Sequence, residues 1–264
     1  MDNQSSNIKQ CLFCGSKGKL FNNTEHIIPE SLGNKTFTLK KIVCDKCNEY
    51  FSGLEEYFIH NHFSSFNRLF SVNKTKKGKS PKQNLKSGIA YRTNDGKIVF
   101  EQSSLFNDTN NQFSITFFAE DISIKATYPL SDVNVKKLSR VLAKIGLETL
   151  YLKEGEIAYS SEFDLIRRYA RFGDTIQFIP FMWHYQTEKN VELLLAEVKH
   201  QSKDTFYFAT IFVPGCVYFI PLHKFNEDFT FDKIAEIYSL NKVTDLGTLK
   251  REPIEFVLNT RNKK

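Results

Sequence analysis

Cys11-Leu12-Phe13-Cys14, then Thr24-Glu25-His26-Ile27-Ile28-Pro29-Glu30-Ser31-Leu32-Gly33, then Cys44-Asp45-Lys46-Cys47-Asn48: these three runs, in this order, decide how the front of the chain folds. Each Cys-x-x-Cys is a knuckle, a tight turn that aims two thiolates at one point. Five cysteines scattered over 264 residues would give one pair at this spacing about 0.1 times, so two pairs read as a built site. In a reducing compartment, paired knuckles form a tetrahedral zinc cage more readily than disulfides. Two facing knuckles also cage a metal better than they serve thiol exchange. Cys11, Cys14, Cys44 and Cys47 are therefore expected to hold a structural Zn2+, tying together loops too short to bury a core. Gly15 and Gly18 suit the turn after the first knuckle. Cys216 stands alone and reads as an apolar thiol.

The rest of the chain differs from this front in charge and texture. Residues 1–90 hold 14 Lys/Arg against 7 Asp/Glu, and residues 91–264 hold 22 against 23, so the net charge of +6 lies in the front. A basic front favours a phosphate-bearing partner. Hydrophobic residues at 41% and charged residues at 25% are an ordinary globular balance over a length that can hold two domains. No apolar run reaches the roughly 18–20 residues of a membrane helix, and MDNQSSNIKQ lacks a signal-peptide core. No membrane partner and a cytoplasmic location are expected. The 25 Phe and 11 Tyr are read mainly as filling a β core or a dimer interface, with base stacking the lesser use.

Three segments follow along the chain: a zinc-stapled domain at 1–72, a basic linker at 73–88, and a mixed body at 89–264. The linker reading rests on Ser71–Gly88, which has six lysines, no acid, and Gly, Ser and Pro punctuation. Ile89–Gln102 reads as a hairpin turning at Asn94-Asp95-Gly96. Phe113–Glu120 and Ile122–Tyr128 read as strands. Leu138, Val141, Leu142 and Ile145 share a helical face, with Ser131 or Asp132 as the N-cap. A second helix spans Ser161–Phe172 and stops at Gly173. Strands resume at 175–183, 191–199, 205–215 and 216–222, and a short helix is expected over Phe231–Tyr238. The predicted fold class is α+β: a small zinc-stapled domain followed by a β-rich α+β domain.

The sequence CLFCG, TEHIIPESLGN and IVCDKCNEYFSGLE, in that order, resembles the HNH endonucleases, in particular those whose ββα-metal core is braced by two Cys-x-x-Cys knuckles. The resemblance covers about 60 residues. It implies that His26 is the general base, that Glu25 supplies a carboxylate to a catalytic Mg2+ or Mn2+, and that Asn48 is the second ligand of that cation. An imidazole of ordinary pKa, near roughly 6.5, can take a proton from water at cellular pH. A divalent cation stabilises charge on the phosphorane and on the departing oxygen. The resemblance further implies nucleic acid as partner, DNA before RNA, and a homodimer where both strands are cut. It makes anti-phage defence, restriction or mobile-element biology the plausible setting.

One position departs from the family pattern. Its middle Asn falls here on Leu39, with Asn34 and Thr38 as the nearest polar substitutes and the choice between them open. Other readings of function are a catalytically inactive zinc module that binds nucleic acid, and a sensor body that gates the nuclease. His60, twelve residues beyond Asn48 on a continuous helix, lies about 18 Å away, too far to share a cation; His60 and His62 could join only if the helix breaks at Ser52-Gly53. Glu55 and Glu56 read as solvated or salt-bridged, and Arg167, Arg168 and Arg171 as a solvated face. Glu197-x-Lys199, ending an apolar run, matches another nuclease fold's metal signature but lacks its upstream Pro-Asp, and reads as a strand end.

Overall fold

A computed structural model describes residues 10–32, 34–61, 69, 78–85, 88–93, 95, 97–102, 113–117, 122–128, 135–173, 181–184, 192–199, 205–213, 216–223, 244–245 and 254–259. Its front is β1 (Thr24–His26), β2 (Thr38–Lys40) and α1 (Asp45–Asn61). β1 and β2 pair antiparallel, with Glu25 opposite Leu39 and His26 opposite Thr38. The body contains β3 (Lys82–Leu85), β4 (Gly88–Arg92), β5 (Ile98–Gln102), β6 (Phe113–Phe117), β7 (Ile122–Tyr128), α2 (Val135–Glu154), α3 (Asp164–Phe172), β8 (Phe181–His184), β9 (Glu192–Lys199), β10 (Thr205–Val213), β11 (Cys216–Pro221), β12 (Thr244–Asp245) and β13 (Ile254–Asn259). These strands form antiparallel sheets in the orders β3-β4-β5, β13-β7-β6 and β12-β8-β11-β10-β9. Mixed helix and strand content behind a cysteine-bearing front agrees with the α+β expectation.

The centre of the body is α2. Leu138, Val141, Leu142, Ala143, Ile145, Leu147 and Leu150 are all fully buried, so the helix is covered on nearly every side. One side lies on β9, β10 and β11. At Gly146 a methyl group would come within 2.9 Å of both Ile220 and Leu222, so glycine is what lets the sheet approach this closely. The opposite side packs on α1 and on α3. The core of the front, with Phe13, Phe51 and Phe58, runs without a break into the core of the body. Phe13 meets Phe51 edge-on at 4.5 Å, and Phe58 reaches Tyr218 on β11 at 6.1 Å. Each such buried side chain contributes about 1.5–3 kcal/mol.

The second predicted helix forms as a 3-10 turn at Ser161–Phe163 leading into α3, and Gly173 ends it in the left-handed conformation at φ 71°. The hairpin also forms, with Gly88 opposite Gln102 and Arg92 opposite Ile98. The basic segment 73–88 differs from the expected loop: Lys82–Leu85 is a strand on the edge of β4. Its own pattern, Lys-Gln-Asn-Leu, carries no strand signal, and the neighbouring edge supplies the hydrogen-bond partners. Residues 71–77, the proposed caps Ser131 and Asp132, the helix expected at 231–238, and His62 and His200 lie outside the described residues. So do the side chains of Cys216 and Glu197. No helix among the described residues is long and apolar enough to cross a membrane.

Candidate active site

The four knuckle cysteines converge, their sulfur atoms all lying within 4.8 Å of one another. Cys14 Sγ and Cys44 Sγ are 3.8 Å apart. Four sulfurs at about 2.3 Å from a tetrahedral zinc stand about 3.8 Å apart, so the cluster fits a structural Zn2+. The first knuckle turns through Gly15 at φ 65°, whose amide donates to the Cys11 carbonyl at 2.9 Å. The second opens α1, with the Cys47 and Asn48 amides donating to the Cys44 carbonyl at 2.9 and 3.0 Å. Leu12 N donates to Ile42 O at 3.0 Å and joins the two knuckles. A hydrogen bond from Cys47 holds the Cys11 thiol down to about 4, against burial, while that same bond and burial push Cys47 up. Burial also raises Cys44. Four thiols this close resist ionising together until a cation joins them.

The same helix start carries Asn48 and positions β1, which carries Glu25 and His26. Asp45, in the first turn of α1, accepts from the Asn22 and Asn23 amides at 2.8 and 3.1 Å and from Asn22 Nδ2 at 3.0 Å. This fixes the chain entering β1 and brings Glu25 to Asn48, three residues after Asp45. Asn48 Nδ2 donates to Glu25 Oε2 at 2.5 Å. Glu25 is 4% exposed. His26, next on β1, is half-buried, and its Nδ1 is enclosed without a hydrogen-bond partner. The two proposed cation ligands are thus in contact beside the proposed base. Of the two polar substitutes for Leu39, Asn34 is hydrogen-bonded to the loop. It is buried, donates to Ile28 O at 2.7 Å and Phe37 O at 3.0 Å, and accepts from the Thr36 and Phe37 amides at 3.1 and 2.9 Å. It braces the loop between β1 and β2, while Leu39 is core.

Lys144, from the middle of α2, enters this site and was not anticipated. It is fully buried, and its Nζ lies 2.5 Å from Glu25 Oε1, donates to Glu55, stands 3.1 Å from Glu148 Oε2, and reaches the His26 carbonyl at 3.3 Å. Burial pulls the ammonium pKa down, but Glu148, Glu25 and Glu55 overcome it and hold the charge well above the usual lysine range. Burial raises both Glu148 and Glu55, against the pull of Lys144. The clue in the sequence is a lone charge in the apolar run Val141-Leu-Ala-Lys144-Ile-Gly-Leu147, on a helix that buries most of its circumference.

The remaining sequence candidates fall outside this centre or change role. α1 runs unbroken through Ser52-Gly53 and leaves His60 exposed near its far end. The arginine cluster is not a solvated face. Arg167 is buried and donates to Ala158 O at 2.7 Å, to Ser160 O and to Asp164. Arg171 Nε donates to Cys47 Sγ at 3.3 Å, and its guanidinium covers the Tyr50 ring at 3.8 Å. Arg140 from α2 donates to the Tyr50 hydroxyl and to Arg171 O at 2.9 Å. Only Arg168 of the three is exposed. The correction has two causes: Arg167 turns back onto carbonyls of the segment just before α3, and Arg171 reaches Cys47 and Tyr50 of the front.

A hairpin and helix clasped by four cysteines, with carboxylate, imidazole and amide at the junction, define the zinc-braced ββα-metal class of module. Residues 11–64 match the HNH endonuclease family. No curated protein and no solved structure gives a significant match.

Proposed function

We propose that the chain is a metal-dependent endonuclease that hydrolyses phosphodiester bonds in nucleic acid, DNA before RNA. In this reading His26 is the general base and Glu25 and Asn48 hold one Mg2+ or Mn2+. The supporting observation is the 2.5 Å approach of Asn48 to Glu25 beside His26. Turning the Asn48 amide over would set its oxygen next to Glu25 Oε2, and a carboxylate plus an amide oxygen suit a hard divalent cation. When bound, that cation would stabilise charge on the phosphoryl and departing oxygens. With Nδ1 enclosed, His26 receives the proton of the attacking water at Nε2. The water oxygen then bonds to phosphorus, the bond to the leaving sugar oxygen breaks, and its electron pair departs with that oxygen. Asn34 keeps the His26 loop in place throughout.

The test is plasmid nicking by the purified full chain with Mg2+ or Mn2+. His26→Ala is expected to lower the rate by roughly 10²–10⁴-fold with zinc content unchanged, while His60→Ala leaves it unchanged. A second reading, an inactive zinc-stabilised module that only binds nucleic acid, draws support from Lys144, which already neutralises Glu25. Binding without cleavage across metals and substrates would establish that reading instead.

A further inference from the structure

We propose that Lys144 is a positioning residue of the nuclease site, supplied by the body, which occupies Glu25 Oε1 so that Glu25 offers only Oε2, beside Asn48, to the catalytic cation. The inference rests on the nuclease reading above. Glu25 has two equivalent oxygens and would otherwise be free to bind a cation through either or both. Lys144 Nζ at 2.5 Å from Oε1 and Asn48 at 2.5 Å from Oε2 divide the carboxylate between two partners. Asn48 is half-buried, whereas Lys144 is fully enclosed. A cation drawn to Oε2 is thereby kept beside His26.

The ammonium is itself fixed from several directions. Glu55, two helical turns beyond Asn48 on α1, and Glu148, one turn along α2, both face it, and the Phe51 ring lies 5.9 Å away. Its reach to the His26 carbonyl at 3.3 Å ties the base-bearing strand to the same point. Helix α2 is anchored by the core on nearly all sides, so the ammonium is a rigid element of the site. A cation at Oε2 meets a fixed positive charge across one carboxylate, which lowers its affinity but confines it to one place. Misplacing a reacting group by about 1 Å costs on the order of 100-fold in rate.

This division gives Lys144 removal a signature that simple loss of structure would not produce. In Lys144→Met, three carboxylates face the site without their ammonium. Mn2+, titrated by electron paramagnetic resonance, is expected to bind several-fold more tightly, while kcat for nicking falls about 100-fold. Lys144→Met/Glu148→Gln removes a positive and a negative group together and serves as the second variant, with folding judged by zinc content and circular dichroism. Unchanged kcat, or weaker Mn2+ binding in a folded variant, overturns the proposal. A crystal structure of the wild-type chain with Mn2+ decides independently of either variant's folding. Mn2+ on Glu25 Oε2 with Lys144 still on Oε1 supports the assignment, and Lys144 displaced from Glu25, or no Mn2+ at Glu25, overturns it. If the wild type binds Mn2+ at Oε2 but cuts nothing, the nuclease reading fails while the placement of the cation by Lys144 stands.

Discussion

Arg171 shows how one side chain from the body can finish a site built by the front. Its Nε lies 3.3 Å from Cys47 Sγ, a charge-assisted contact to one of the four cysteines that fit a zinc, and its guanidinium is held flat on Tyr50. Groups that hydrogen-bond a metal's ligands typically change metal affinity by 10–100-fold. Arg171→Ala is therefore expected to release zinc to a chelator roughly tenfold faster than wild type, measured with a colorimetric zinc indicator, whereas Arg168→Ala leaves release unchanged. Asn34 makes a related point from within the front. Four hydrogen bonds to one buried side chain hold the loop that joins β1 to β2 and carries the 3-10 turn Glu30–Leu32. Both residues are ordinary polar side chains in sequence, and their roles follow from what surrounds them.

At the scale of the element, α2 carries two functions on opposite sides. Gly146 admits the sheet, and Arg140, Lys144 and Glu148, each one turn apart, face the HNH domain. Glu148 is fully buried, and neither of its oxygens has a hydrogen-bond partner. Burial raises its pKa well above the free value of 4.5, against the pull of Lys144, so ionising it costs more in the folded chain than in the unfolded one. A group raised on folding contributes its stability in full below the unfolded pKa and loses it as pH rises through the folded value. Glu148→Gln keeps the shape without the titration. Its stability relative to wild type is expected to be near zero at pH 4 and to grow with pH, reaching about 1–2 kcal/mol by pH 8 in urea unfolding.

At the scale of the whole molecule, the chain-order division at residues 73–88 crosses a continuous core. α1 packs on α2, and Phe58 meets Tyr218. A chain ending at residue 87 would expose Leu54 and Phe58 and leave Glu25 and Glu55 without Lys144. That fragment is expected to bind zinc weakly, to digest rapidly in limited proteolysis and to lose nicking. A fragment that folds and cuts without restraint would instead make the body a sensor that holds the nuclease in check.

The candidate site was legible in the sequence wherever its chemistry is local. Two knuckles, a Glu-His pair and an Asn after the last cysteine lie close enough along the chain that short turns bring them together. The hairpin at Ile89–Gln102 and the end of α3 at Gly173 were legible for the same reason. Hidden from the sequence were β3, which is a strand only because β4 offers an edge, and two arginines of α3: Arg167, taken up by the carbonyls of Ala158 and Ser160, and Arg171, which meets Cys47 and Tyr50. Lys144 was hidden most deeply, lying 119 residues from Glu25 along the chain. By itself the sequence determined the four-cysteine cluster that fits a zinc, because covalent spacing and thiolate chemistry constrain it directly. Only the tertiary structure decided that a buried ammonium completes the group around Glu25. A charge is stable there because the fold brings Glu25 and Glu55 from distant segments to join Glu148, one turn along the same helix, around it.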